Sequence, residues 1–489
     1  MLNGSTDTDT QLLQGSAEIF GTELVVNRTY TFASTKAAVY TWTGCTIEIT
    51  HEAGALASEY VAEETTMNEY ANAALALDSL RQKAERARSN GPRVLILGPD
   101  NVGKTTLAKV LTSHAIQAGR APVVVGLDPA ESILSLPGTL TATVFKSSLE
   151  VESDAGGGWG TSPMSGPNGD IPVKIPLVYY LGSTDPAEKN GVVYKSQITR
   201  LALSVQGKMN MAGQESTKYS GVIIDTPGSL VMGKHATSGY DLVAHLISEF
   251  SVTAIICLGN ERLYNDMVKR FDRQPISGSG STSLTADIPE SENIAVIKLP
   301  RSGGVVDRDA TYIRAIREAQ IRAYFYGTPQ VGAHISLQPR QQQIDFDTLP
   351  TIWRRISNNV DGYTSSSAPT ATKDETFLPG DADDAEYAPP ATIVSSSVPL
   401  PANQLFEKLS CPIPALRNCV LAVMNCGPDL DVVHAQEVLR DSSCMGFLYV
   451  TDIDEEKRKI SLLSPVAGRV PNRALIWAEG MEGILGITA

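Results

Sequence analysis

Apolar and polar residues change rhythm several times along the chain, and each change marks a different element. Between residues 12 and 61 apolar positions alternate in short runs, at 17–20, 23–26, 30–32, 38–42 and 46–49, divided by the turn residues Gly21-Thr22, Asn27-Arg28 and Gly44. Period-two alternation bounded by turn formers predicts short strands, and so a small all-β module with its aromatics on the inward face. Residues 1–10 are short, polar and expected to be loose. From 67 to 88 the spacing becomes helical, with Ala71, Ala74, Leu75, Leu77 and Leu80 on one side. This connecting helix ends before the boundary signal Gly91-Pro92.

Five later runs are apolar without alternation: 94–97, 121–127, 221–225, 252–258 and 294–299. Helical runs at 107–116, 195–211, 242–250 and 310–326 accompany them. Strands that are apolar on both faces and alternate with helices predict a parallel α/β sheet. Residues 152–170 read as a Gly/Ser/Pro-rich surface loop and 275–290 as a flexible insertion. Beyond Gly327-Thr328-Pro329 the character changes again. Strand-like runs at 420–424, 446–450, 459–463 and 474–477 belong to a C-terminal module, ordered over 331–356 and 405–489. It is interrupted at 361–400 by a segment poor in aliphatics and rich in Ser, Thr, Ala, Pro and Asp, expected to be disordered.

Length and composition narrow the function classes. A chain of 489 residues can bury several cores, and a formal charge of −14 argues against coating nucleic acid with the whole surface. The six cysteines form no CxxC pair and have no histidines at ligand spacing, which predicts reduced intracellular thiols rather than a metal site. No apolar run is long enough for a membrane helix, and the first residues lack the layout of a secretory signal.

The strongest chemical signal follows the 94–97 run. Gly98-Pro99-Asp100-Asn101-Val102-Gly103-Lys104-Thr105-Thr106 satisfies the P-loop pattern GxxxxGK[ST] at every fixed position. Gly98 and Gly103 let successive N–H groups turn toward phosphate oxygens at a helix N-terminus. Lys104 adds charge at the β/γ-phosphates and Thr105 a hydroxyl for Mg²⁺. Asp128, at the end of the next strand, either faces the ligand mouth of the sheet or opens the turn Asp128-Pro129. Asp225 ends a further strand, and Asp225-Thr226-Pro227-Gly228 has the DxxG spacing of a GTPase switch, but no NKxD-like guanine reader follows. Arg301 and Arg308 flank a Gly-Gly segment and suit a lid over phosphate as well as a solvated face. Arg317 and Arg322 read better as a solvated helix face. The expected fold is α/β: a central P-loop NTPase parallel sheet with helices (89–328), a small N-terminal all-β domain with the connecting helix (1–88), and a C-terminal α+β domain (329–489).

The stretches AEIFGTEL (17–24), AVYTWTGC (38–45), GPRVLILGPDNVGKTT (91–106), LDPAESILSLPGT (127–139), PLVYYLGSTDP (176–186), ERLYND (261–266), PRSGGVVDR (300–308) and IRAYFYG (321–327) resemble the polynucleotide 5′-hydroxyl kinase family. Within it the chain resembles the kinase-like subunit of the pre-mRNA cleavage and polyadenylation factor (cleavage factor IA). The resemblance implies ATP and Mg²⁺ held between the β-module and the central sheet. The ATP-binding residues it implies are Gly98, Asn101, Val102, Gly103, Lys104, Thr105 and Thr106; the metal ligands are Thr105 and Asp128; the lid residues are Arg301, Arg308 and Arg314. Asp128 falls where active relatives place the base that deprotonates an RNA 5′-hydroxyl. The same resemblance implies a nuclear location, a scaffold subunit that binds the RNA polymerase II C-terminal domain, other cleavage and polyadenylation subunits as partners, only weak or indirect RNA contact, and no membrane.

Departures from the active pattern bear on catalysis. Ser229 stands where active relatives carry a base-clamping tryptophan, Glu131 where a glutamine is usual, and Ile313 where an arginine is expected, with Arg314 adjacent to it. Family members also begin with further strands bearing a glutamate that reads adenine, and only a short segment precedes the first matching strand here. The expectation is an ATP-binding, non-catalytic subunit, with an active RNA 5′-kinase using Asp128 as its base as the alternative.

Overall fold

The run Arg93–Leu97 lies at the middle of five parallel strands, in the order Ala295–Leu299, Ala254–Leu258, Arg93–Leu97, Val222–Asp225 and Val123–Gly126. Its side chains alternate between two cores. Leu95, Val125, Ile224 and Ile255 face the helices Val192–Met209 and Ala236–Phe250, whereas Ile96, Val124, Ile223 and Ile256 face the connecting helix Met67–Ala87 and the P-loop helix Lys104–Gln117. Helices on both faces account for the unbroken apolar runs. The computed structural model describes residues 2–4, 8–32, 36–51, 57–62, 64–149, 151, 159, 176–187, 191–232, 236–276, 293–326, 339–356, 404–465 and 468–478. The insertion expected at 361–400 lies outside them, as do 277–290 of the segment expected to be flexible and, apart from Trp159, all of the loop expected at 152–170.

Two antiparallel strands, Thr139–Val144 and Leu177–Tyr180, extend the sheet beyond Val123–Gly126. The second meets the C-terminal module where Val178 pairs with Cys444. Strands Cys444–Asp454, Val420–Met424, Leu475–Ala478, Ile352–Arg355 and Phe406–Lys408 continue from there, and Lys459–Ser464 with Arg340–Asp345 branch off the first of them. The result is one 14-stranded sheet. The helix Val432–Asp441 packs beside this module. Among the described residues no helix is long and apolar enough to cross a membrane.

The N-terminus departs from expectation. Residues Thr8–Gly15 form a strand between Thr29–Phe32 and Cys45–His51, and Leu2–Gly4 pairs with Lys36–Ala37 and Ala57–Glu59. The segment 1–10 looked loose because its inward positions are threonines. Thr8 and Thr10 are nonetheless buried beside Leu12, where β-branched side chains suit a pleated face. Conversely Val25 and Val26, expected in a strand, lie beyond the two-residue strand Thr22–Glu23 and are 57% and 45% exposed. The module rests on the P-loop helix, where Gln117 donates to the Gly21 carbonyl at 3.0 Å and Thr22 and Ser113 hydroxyls lie 3.3 Å apart.

Candidate nucleotide site

The P-loop closes as its sequence requires, though its two glycines act differently. Gly103 has φ +91° and caps the helix from the left-handed region, where a side chain is strained. Gly98 is needed for space, since a Cβ there would stand 2.9 Å from the Leu258 carbonyl and from Val102 Cγ2. Asn101 adopts φ +55°, a conformation its short amide tolerates better than most side chains. Lys104 is buried and donates to the Pro99 carbonyl at 2.7 Å. Val102 is buried in the core below, while Thr106 is half-buried in the first turn.

Two strand-end acids converge beneath the loop. Thr105 Oγ1 donates to Asp225 Oδ2 at 2.6 Å, and Asp225 Oδ1 is buried without a hydrogen bond to a described residue. Burial pushes the Asp225 carboxyl up to about 6, against the Thr105 hydrogen bond and the Lys104 charge, with Glu131 adding like charge. Asp128 rises to about 7 through burial, with Glu131 and Asp225 adding repulsion and Lys104 opposing it. Asp128 also opens its turn, accepting from the N–H groups of Ala130 at 2.8 Å and Glu131 at 3.2 Å. Asp128 thus opens the turn, and its carboxyl stands within electrostatic reach of Lys104 and Asp225.

The segment 300–309 lies over the loop. Arg308 donates from Nε to Asn101 Oδ1 at 3.0 Å and from its two terminal nitrogens to the Glu131 carboxylate at 2.6 and 2.9 Å. Arg301 reaches the Val305 carbonyl at 3.3 Å, and Val305 approaches Gly103, where a Cβ would stand 3.1 Å from its methyl group. Arg314 pairs with Glu318 along its own exposed helix face at 2.9 Å. The structure thus gathers Asn101, Lys104, Thr105, Asp128, Asp225 and Arg308, whereas Glu318, which pairs with Arg314, lies outside that group.

Several contacts were not legible in advance. Arg317, expected on a solvated face, donates to the Ala130 carbonyl at 2.8 Å, and Gln320 to the Ser132 carbonyl at 2.9 Å. One turn, 130–132, is long-range partner to both, and sequence spacing carries no sign of it. Arg322 is exposed, as expected. Tyr70 of the connecting helix donates to the Pro300 carbonyl at 3.2 Å, tying the other end of the segment. Ser229 sits exposed in the short turn Gly228–Leu230, and Ile313 is half-buried.

A P-loop at the head of a doubly wound sheet, with strand-end acids below and an arginine above, defines a P-loop nucleotide-binding protein. Residues 98–327 match the family described as mRNA cleavage and polyadenylation factor CLP1 P-loop, 2–84 the N-terminal beta-sandwich domain of polyadenylation factor, and 337–481 the pre-mRNA cleavage complex II protein Clp1. The chain is 42% identical to the mRNA cleavage and polyadenylation factor clp1 of Neosartorya fischeri, over 97% of its own length and 91% of that protein. It is 42% identical to the Aspergillus terreus protein of the same name, over 98% and 92%. Two solved structures share the fold. A Clp1p–Pcf11p complex superposes with TM-score 0.72 at 24% identity, covering 96% of this chain and 92% of that one. A second, described as showing an extended Pcf11p–Clp1p interface and the basis for ATP loss in a point mutant, gives 0.71 at 23%, covering 96% and 93%. The chain belongs to the Clp1 family of mRNA cleavage and polyadenylation factors.

Proposed function

We propose that this protein is an ATP-loaded, non-catalytic subunit of the nuclear machinery that cleaves and polyadenylates pre-mRNA 3′ ends. The observation that carries the non-catalytic part is the Arg308–Glu131 pair. Phosphoryl transfer is assisted by positive charge placed on the transferring group, and the lid arginine is bonded twice to a carboxylate of its own chain that competes for that charge. The turn that would clamp a substrate base presents Ser229, and base stacking is worth ~1–3 kcal/mol. In this reading Gly98, Asn101, Val102, Gly103, Lys104, Thr105 and Thr106 cradle the phosphates, and Arg301 and Arg308 cover them. Thr105, Asp128 and Asp225 offer only oxygen ligands, one of them buried with no hydrogen bond among the described residues, which fits Mg²⁺. When bound, the ion neutralises polyphosphate charge.

The partner in this proposal is a scaffold subunit that binds the RNA polymerase II tail; the Clp1p–Pcf11p complexes among the similar structures support a bound companion subunit. The proposed layout is 1–88, 89–328 and 329–489. The test is mass spectrometry of nucleotide released from purified protein, run beside labelled-phosphate transfer to 5′-hydroxyl RNA. ATP in near-stoichiometric amount with no transfer is expected. Guanine nucleotide as the main species, or turnover at about 1 s⁻¹, overturns the reading. A second reading, an RNA 5′-hydroxyl kinase, is favoured by Asp128 alone. A carboxyl at about 7 is matched to a general base at neutral pH, and the transfer assay decides between the two.

A further inference from the structure

The residue that neutralises Arg308 is held in place by its surroundings. Glu131 donates its own N–H to Asp128 Oδ1, and on either side of it the carbonyls of Ala130 and Ser132 accept from Arg317 and Gln320 of the lid helix Ala310–Tyr326. The turn is therefore strapped to the same helix that follows Arg308, so carboxylate and guanidinium meet in a fixed orientation. Arg308 is at the same time bonded through Nε to Asn101, within the phosphate-binding loop. A planar guanidinium fork over that loop is shaped for a carboxylate or for a phosphate, and here its two terminal nitrogens end on the carboxylate. With 28% and 33% of the two side chains exposed, the pair is partly screened by water and exchangeable.

Resting on the proposal that ATP occupies this site, we infer that Glu131 competes with the terminal phosphate of the nucleotide for Arg308, and so sets how strongly the site distinguishes ATP from ADP. Glu131 is a specificity-determining residue in this account. A γ-phosphate takes the two-nitrogen fork of Arg308 only by displacing Glu131 from it, so the third phosphate contributes less than it would opposite an unpaired arginine. ADP ends one phosphate earlier and is little affected.

The test is titration of full-length, nucleotide-stripped protein with Mg²⁺-ATP and Mg²⁺-ADP, comparing wild type, Glu131→Gln, Glu131→Asp, Arg308→Gln and the Glu131→Gln/Arg308→Gln double variant. The ATP-over-ADP preference should rise about tenfold in Glu131→Gln, the scale of one hydrogen bond to a charged group. It should rise by less in Glu131→Asp, which keeps the charge and shortens the reach, and return to the Arg308→Gln value in the double variant. A preference unchanged in both Glu131 variants, with ATP still bound tightly, overturns the inference and leaves the ATP-loaded reading standing. An equal rise in the Arg308→Gln background means that Glu131 acts by plain charge repulsion, which also overturns it. If wild type binds neither nucleotide, reading and inference fall together.

Discussion

Asp100 and Gly228 meet under the phosphate-binding loop. A Cβ on Gly228 would lie against the Asp100 carboxylate and 2.5 Å from its backbone nitrogen, closer than real Cβ contacts, so the loop itself has to shift. The side chain of Asp100 can swing away, but its backbone nitrogen moves only with the loop. Gly228→Ala is therefore expected to keep the fold, by circular dichroism, and to weaken nucleotide binding tenfold or more, ~1.4 kcal/mol. Wild-type affinity in calorimetry would show that the turn gives way instead of the loop. The same closeness explains the glycine of the DxxG spacing without a switch, since space next to the P-loop is what the residue supplies. Thr226, beside it, is engaged in the core, donating to the Ile96 carbonyl at 2.6 Å.

Between elements, a concentrated polar junction outside the site joins helix Val192–Met209 to helix Val432–Asp441. Asp441 accepts from Ser196 at 2.8 Å, Arg200 at 2.8 Å and its neighbour Arg440 at 2.8 Å. Burial alone raises its carboxyl, but the hydrogen bonds from Arg440, Ser196 and Arg200 outweigh burial and hold it at about 2. A folded value below the ordinary 3.8 stabilises above that pH and is lost as pH falls toward about 2. With Arg200 half exposed, about 1–2 kcal/mol is a reasonable ceiling. Asp441→Asn should lower urea stability by that amount at pH 7, and the gap to wild type should narrow as pH falls below 4. A gap that stays constant down to pH 3 would assign the loss to packing. This junction was invisible in the sequence, because Ser196 and Arg200 stand at helical spacing while Asp441 is 241 residues from Arg200. What periodicity resolves is local. The five parallel strands, the connecting helix and the lid helix were legible because both-sided burial and 3.6 spacing leave marks in one window. Thr139–Val144 and Leu177–Tyr180 were not, since Thr139 and Thr141 are buried threonines and the two strands are antiparallel links between the parallel strands and the C-terminal module. In the candidate site, the P-loop pattern and the strand-end position of Asp128 were readable from spacing, whereas the bond between Glu131 and Arg308 depends on residues 177 positions apart.

Across the whole molecule, the phosphate-binding loop lies where three parts of the chain converge. The N-terminal module sits on the P-loop helix through Gly21 and Thr22, the connecting helix holds the lid segment at Pro300, and the lid helix reaches the C-terminal module, where Tyr324 accepts from the Phe447 N–H at 3.0 Å. A ligand that binds loop and lid together binds the folded assembly alone, and such a ligand stabilises by RT ln(1 + [L]/Kd), ~2.7 kcal/mol at a hundredfold excess over Kd. Lys104→Ala removes the buried cation that the proposed function sets beside the polyphosphate. Its loss should cost several kcal/mol of nucleotide affinity, on the scale of truncating one partner of a buried charge pair. It also removes the bond to the Pro99 carbonyl, worth about 1 kcal/mol, so wild type stripped of nucleotide is the necessary reference. The purified variant should carry little nucleotide and melt several degrees below loaded wild type, close to the stripped protein. If the nucleotide-free variant melts together with loaded wild type in differential scanning fluorimetry, ATP does not hold these three parts together, and a structural role for the nucleotide is wrong.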